Sequence, residues 1–125
     1  MFKLAQAVLI VSVVACIPDG HAAEPITVSE YVQMKGTMAS DKTYTLIKYL
    51  SGVADALYGS NFVLVGQGKA PLYCFDSPRP LTATELIKYI DALLYNRMQK
   101  KEPVQADFFI AVIAANAVGV ALKCS

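Results

Sequence analysis

Between positions 108 and 122 the chain carries one polar side chain, Asn116, and no ionisable one. As a helix rising about 1.5 Å per residue, this stretch reaches roughly 22 Å, short of the hydrocarbon core of a bilayer at about 30 Å. The pattern therefore predicts a helix over 105–122 that does not span a membrane. A helix apolar all round is buried on all sides or lies in an interface. This one is expected as the central helix of a bundle, with enough apolar surface left over to allow a homodimer. Asn116 is expected as a core amide whose hydrogen bonds are satisfied.

The elements that cover such a helix can be read from apolar spacing. Leu46, Leu50, Val53 and Leu57 recur at i, i+4, i+7 and i+11, and Tyr44, Ile47, Ala54 and Tyr58 widen the stripe. This is the core face of an amphipathic helix opening at Ser40 or Asp41. Gly52 and Ala56, one turn apart, make a small patch that predicts close approach of another segment. Gly59-Ser60-Asn61 reads as the stop. Residues 62–65 fit a last helical turn or a short extended piece, and 66–80, with three prolines, read as a loop around Cys74. The GxGK string in that loop lacks the spacing of a phosphate cradle. Thr82 and Glu85 form a capping box opening a helix with Leu86, Ile87, Ile90, Leu93, Leu94 and Met98 on one face. Lys100-Lys101 and Glu102-Pro103 end it. A short helix is expected over 27–35, capped by Thr27 or Ser29 and ended by Gly36. The fold class is all-α, a single domain of four to five helices.

The start of the chain reads differently. Lys3 precedes a run over 4–17 with no ionisable side chain except the thiol of Cys16. Pro18-Asp19-Gly20 breaks the run, and Gly20 and Ala22 occupy the −3 and −1 places of a signal-peptidase site. This order is that of a secretory signal peptide. Cleavage is expected after Ala22 or one residue later, giving a leader 1–22 and a domain 23–125. Val13-Val14-Ala15-Cys16 also fits a lipobox loosely, so a lipoprotein anchored at Cys16 stands as the alternative.

Removing the leader leaves 103 of the 125 residues, with ten basic and nine acidic side chains, 52% apolar residues and no histidine. Cys16 goes with it, leaving Cys74 and Cys124. An even pair in a small exported chain reads as one disulfide. Without histidine, the serine–histidine, cysteine–histidine and histidine–metal schemes are excluded. The nine carboxylates are scattered singly. The only basic cluster, Lys100-Lys101, suits a helix end better than a nucleic-acid surface. No catalytic, cofactor or metal site is expected; the residues point to an exported binding protein and not to an enzyme.

A resemblance carries the reading further. Tyr49, Gly52, Asp55 and Leu57 stand in a Y-x-x-G-x-x-D-x-L string. Tyr73-Cys74 before a proline-bearing turn, Leu81-Thr82 opening a helix with Tyr89, Pro103, an alanine-rich apolar helix and Cys124 follow in order. Over roughly residues 44–125 this resembles the Rap/Tai immunity proteins of type VI secretion. It departs from them at Lys123, where proline is usual, and in the longer gap Phe75-Asp76-Ser77. The resemblance implies a small helical periplasmic protein, often dimeric, that binds and blocks a secreted peptidoglycan amidase effector. The contact regions expected on chemical grounds are the loop 59–73 and the turn 99–105, which are polar and joined to rigid helices. Two other classes remain: a periplasmic acid-stress chaperone, and a structural subunit of an envelope complex.

Overall fold

The computed structural model describes residues 24–37 and 40–125. The expected leader, with Cys16, His21 and the Ala22 cleavage site, lies outside the described residues. Four helices form among them: α1 (Val28–Gly36), α2 (Ser40–Gly66), α3 (Ala83–Gln99) and α4 (Ile110–Ala121). The described fold is all-α; its sole β feature is an isolated antiparallel bridge between Thr27 and Phe109.

Both helices with a T-x-x-E start are closed as that pattern requires. The Thr27 hydroxyl accepts from the Glu30 N–H, and the Glu30 carboxylate accepts from the Thr27 N–H at 2.8 Å. Thr82 and Glu85 repeat the arrangement at the start of α3. Each box satisfies two of the backbone N–H groups that a helix start leaves open.

The N-terminus of α1 takes further partners from far along the chain. Val28 N–H donates to Phe108 O at 2.8 Å and Ser29 N–H to Ala106 O at 3.0 Å, while Ile110 N–H donates to Ile26 O at 2.8 Å. These bonds correct the expected start of the last helix. Residues 105–109 stay outside it because two of their carbonyls are engaged across the chain, and α4 begins at Ile110 without a side-chain cap.

The expectation that the last helix is central and buried on all sides is also overturned. Helix α2 packs against all three others, whereas α4 lies on α3 and α2. Ile110, Ala114 and Val118 are fully buried, but Val112 and Val120 are 49% and 70% exposed, and Asn116 faces outward. Asn116 is thus no core amide.

The core joins Tyr31 to Leu46, Leu50 and Ala54 of α2, Leu86 and Ile90 of α3, and the inner face of α4. Full burial of each large aliphatic side chain contributes about 1.5–3 kcal/mol. Two further expectations for α2 fail. The helix passes through Gly59-Ser60-Asn61 and continues to Gly66. Among the described residues nothing lies within 4 Å of a Cβ built on Gly52, so no described segment covers the Gly52–Ala56 patch. The glycine that does meet a neighbour is Gly119 of α4, where a Cβ would sit 3.5 Å from Leu72 O.

Candidate functional site

Past Leu57, α2 extends beyond the core. Phe62, Val63 and Val65 are 76%, 55% and 59% exposed there, and the loop 67–82 folds back beside them. The Asn61 side chain holds the loop at two points. Its amide donates to Tyr73 O at 2.9 Å, and its carbonyl accepts from Leu72 N–H at 2.6 Å. Cys74 N–H then donates to Leu122 O at 2.8 Å, and Cys74 is bonded to Cys124 across 50 positions, with Cα atoms 5.1 Å apart. The disulfide read from the sequence is therefore present.

The far part of the loop is fixed to the start of α3. Arg79 donates to both oxygens of Glu85, at 3.0 and 2.9 Å, while Glu85 also serves the Thr82 capping box. The Arg79 hydrogen bonds, with the Thr82 backbone N–H next, hold the Glu85 carboxyl down at about 2. The guanidinium lies 5.1 Å from the Phe75 ring centroid, within cation–π range. Phe75 is thereby placed opposite the overhanging turn of α2.

Between these walls runs a groove of about 510 Å³, lined mainly by Phe62, Val65, Pro71, Tyr73, Phe75 and Pro78. Its charged lining residues are Asp76 and Arg79, the latter already paired with Glu85. Tyr73 is 3% exposed, and its hydroxyl has no hydrogen-bond partner among the described residues. Burial pushes the pKa of that phenol up, with a further rise from Tyr58 nearby.

Of the residues carrying the family resemblance, Tyr73 and Cys74 line this groove, but those of the Y-x-x-G-x-x-D-x-L string are not gathered here. Tyr49 is half-buried and lines a separate hollow of about 510 Å³ between the starts of α1 and α2. Gly52 and Asp55 are exposed on the outer side of α2, and Leu57 points into the core. They share a helix, not a site. Of the two expected contact regions, 59–73 borders the groove, though 59–66 is helix. The turn 99–105 borders a second groove of about 460 Å³ between α3 and α4.

A polar cluster was missed by the sequence reading. The Tyr31 hydroxyl donates to Asp91 Oδ1 at 2.7 Å, and Lys35 pairs with Asp91 Oδ2. Burial first, then the Asp91 hydrogen bond, pushes the Tyr31 phenol pKa up. The partners of Asp91 lie more than 50 positions away, and no local pattern marks them. Asn61 and Arg79 escaped because their partners, 11–12 and 6 positions away, stand outside any local helix or capping pattern.

Among the described residues no three of histidine, cysteine, aspartate and glutamate converge to hold a metal ion, and no helix is long and apolar enough to cross a membrane. No family model, curated protein or solved structure matches this chain.

Proposed function

We propose that this protein is an exported helical inhibitor that acts in the periplasm, binding and blocking a peptidoglycan amidase effector through the groove between the end of α2 and the disulfide loop. The observation that carries the reading is Phe62, 76% exposed at the lip of an apolar groove whose other wall is held by a covalent bond. A large exposed aromatic side chain costs solubility and suits a surface made to be covered. Rigid walls reduce the ordering cost of binding. The order of motifs shared with the Rap/Tai proteins supports the choice of an amidase as partner. Inhibition by occlusion needs no catalytic group on this chain.

The test is a binding and inhibition assay. The immobilised exported protein is expected to capture an enzyme that cleaves peptidoglycan, and to abolish that cleavage at about one equivalent. Phe62→Glu is expected to weaken capture by more than tenfold while the helical content stays unchanged. Inhibition that survives both Phe62→Glu and Phe75→Glu removes the groove from the proposal. A captured partner with no action on peptidoglycan removes the amidase and favours the envelope-complex role.

A further inference from the structure

We propose that the groove between the end of α2 and the disulfide loop takes an arginine side chain from an exposed segment of a protein partner, its guanidinium paired with Asp76 and stacked on the aromatic wall of α2. The inference rests on the reading of this groove as the contact surface. It names what the partner inserts there and does not need that partner to be an amidase.

The charge of the lining decides the sign of the occupant. Asp76 is exposed, lines the groove and has no ion pair or hydrogen bond among the described residues. Arg79, the other charged lining residue, is already engaged. Its Nη1 and Nη2 donate to the two Glu85 oxygens, and Nη1 also donates to Pro80 O. Glu85 cancels its charge. Lys69, in the same loop, is exposed and does not line the groove. The uncompensated charge of the lining is therefore negative. A carboxylate beside low-dielectric walls attracts a cation more strongly than one in open water. An acidic occupant would meet Asp76 and find Arg79 taken.

The walls choose among cations. Tyr58 and Phe62 stand one turn apart on α2 and line the groove, with Phe62 76% exposed. Among the described residues no cation lies over either ring. The opposite wall already shows the preference, since the Arg79 guanidinium lies 5.1 Å from the Phe75 centroid. A cation within about 6 Å of an aromatic centroid is attracted by the ring quadrupole. Arginine suits both features. Its guanidinium is planar, stacks on aromatic faces, is less strongly hydrated than an ammonium, and presents paired N–H donors to a carboxylate. Its aliphatic stem covers apolar lining such as Val65 and Pro71. Walls held by the disulfide and by Asn61 reduce what the inserted side chain has to order.

The probe is a capped glycine peptide with one central arginine, added to the oxidised protein and followed by the chemical shifts of the loop 67–82 and the end of α2. Saturation in the millimolar range, roughly 1–10 mM, is expected for a single anchoring side chain. The same peptide with citrulline, neutral and of the same shape, is expected to bind about fivefold more weakly, and the lysine peptide also binds more weakly. Asp76→Asn is expected to bring the arginine peptide down to the citrulline level. Phe62→Leu, which keeps an apolar wall without a π face, is expected to weaken it about threefold. Circular dichroism and an intact Cys74–Cys124 bond in each variant separate a lost contact from a lost fold. No shift at about 20 mM arginine peptide overturns the proposal. So does equal binding of the citrulline, lysine or glutamate peptide, or binding that Asp76→Asn leaves unchanged. Choline or spermidine bound more tightly than the arginine peptide makes this a site for a free cation and overturns it as well. A captured partner with no action on peptidoglycan leaves the peptide result standing, whereas an amidase inhibited equally by the protein and its Asp76→Asn variant removes the arginine and keeps the inhibitor.

Discussion

The two ends of α2 are held by different means. At its start, α1 and the residues before α4 are tied by polar and backbone groups. The Thr27–Glu30 capping box, the 106–110 backbone bonds and the Tyr31–Asp91–Lys35 cluster all lie at that end of the chain's contacts or brace α1 onto α3. At its far end a disulfide, the Asn61 amide, the Cys74–Leu122 backbone bond and the Arg79–Glu85 pair hold a loop that has no regular structure of its own. The difference follows from what each region has to bury. The α1 side brings Tyr31 and Ile26 into the core, so apolar packing holds it and polar groups set its angle. The loop 67–82 buries Tyr73 and Leu81 and leaves much of its backbone at the surface, so little else offsets the entropy of ordering it.

The largest expected effect comes from breaking the disulfide end. Replacing Cys74 and Cys124 together by serine frees a loop closed over 50 positions, and chain entropy puts the loss at about 4 kcal/mol. Denaturant melts of the double variant and the oxidised protein measure this, and a loss below about 1 kcal/mol would show that packing of Tyr73 and the Asn61 amide already hold the loop. Next comes Asn61→Ala, which leaves Tyr73 O and Leu72 N–H without their side-chain partner. A cost of about 2 kcal/mol is expected, with faster hydrogen exchange confined to the loop.

At the other end the effects are smaller. Tyr31→Phe removes the hydroxyl bond to Asp91 but leaves Lys35 on that carboxylate; a loss of about 1 kcal/mol is expected by thermal melting. Thr27→Ala, which opens the α1 capping box, is expected to cost about 1 kcal/mol, and an equal or larger loss than the disulfide variant would reverse the comparison.

The smallest effect is a pH dependence at the loop's attachment to α3. Glu85 titrates near 2 in the folded protein, against an ordinary value of 4.5. A carboxyl lowered by folding stabilises the native state fully above its unfolded pKa, and that contribution fades as pH falls from about 4.5 to about 2. Stability measured across this window is expected to fall with acid, and Glu85→Gln is expected to flatten part of the slope. An unchanged slope in that variant would assign the acid sensitivity to other carboxylates.

The parts legible beforehand were those written in short spacings. Thr27–Glu30 and Thr82–Glu85 each span three positions, and both boxes form. Leu46, Leu50, Val53 and Leu57 repeat at helical spacing; the three leucines are buried and Val53 is half-buried against the same core. The Cys74–Cys124 pair was legible by elimination once the leader was set aside. The candidate groove was legible only as a polar region around 59–73; its apolar lining was not, because Phe62 and Val65 read as part of an uncertain turn. Asn61 read as a helix stop, since an isolated Gly-Ser-Asn string has that meaning unless a distant backbone takes up the amide.

The two threonine-capped helix starts, the core stripe of α2 and the all-α class were thus determined by the sequence alone, because hydrogen bonds within a helix and capping bonds connect residues at most four apart. Which face of α4 is covered was decided only in three dimensions. Its composition is nearly uniform around the axis, so no pattern along the chain distinguishes Ile113 from Val112. The distinction arises because α2 and α3 supply enough surface for one side, burying Ile110, Ala114 and Val118 and leaving the Val112–Asn116–Val120 stripe exposed.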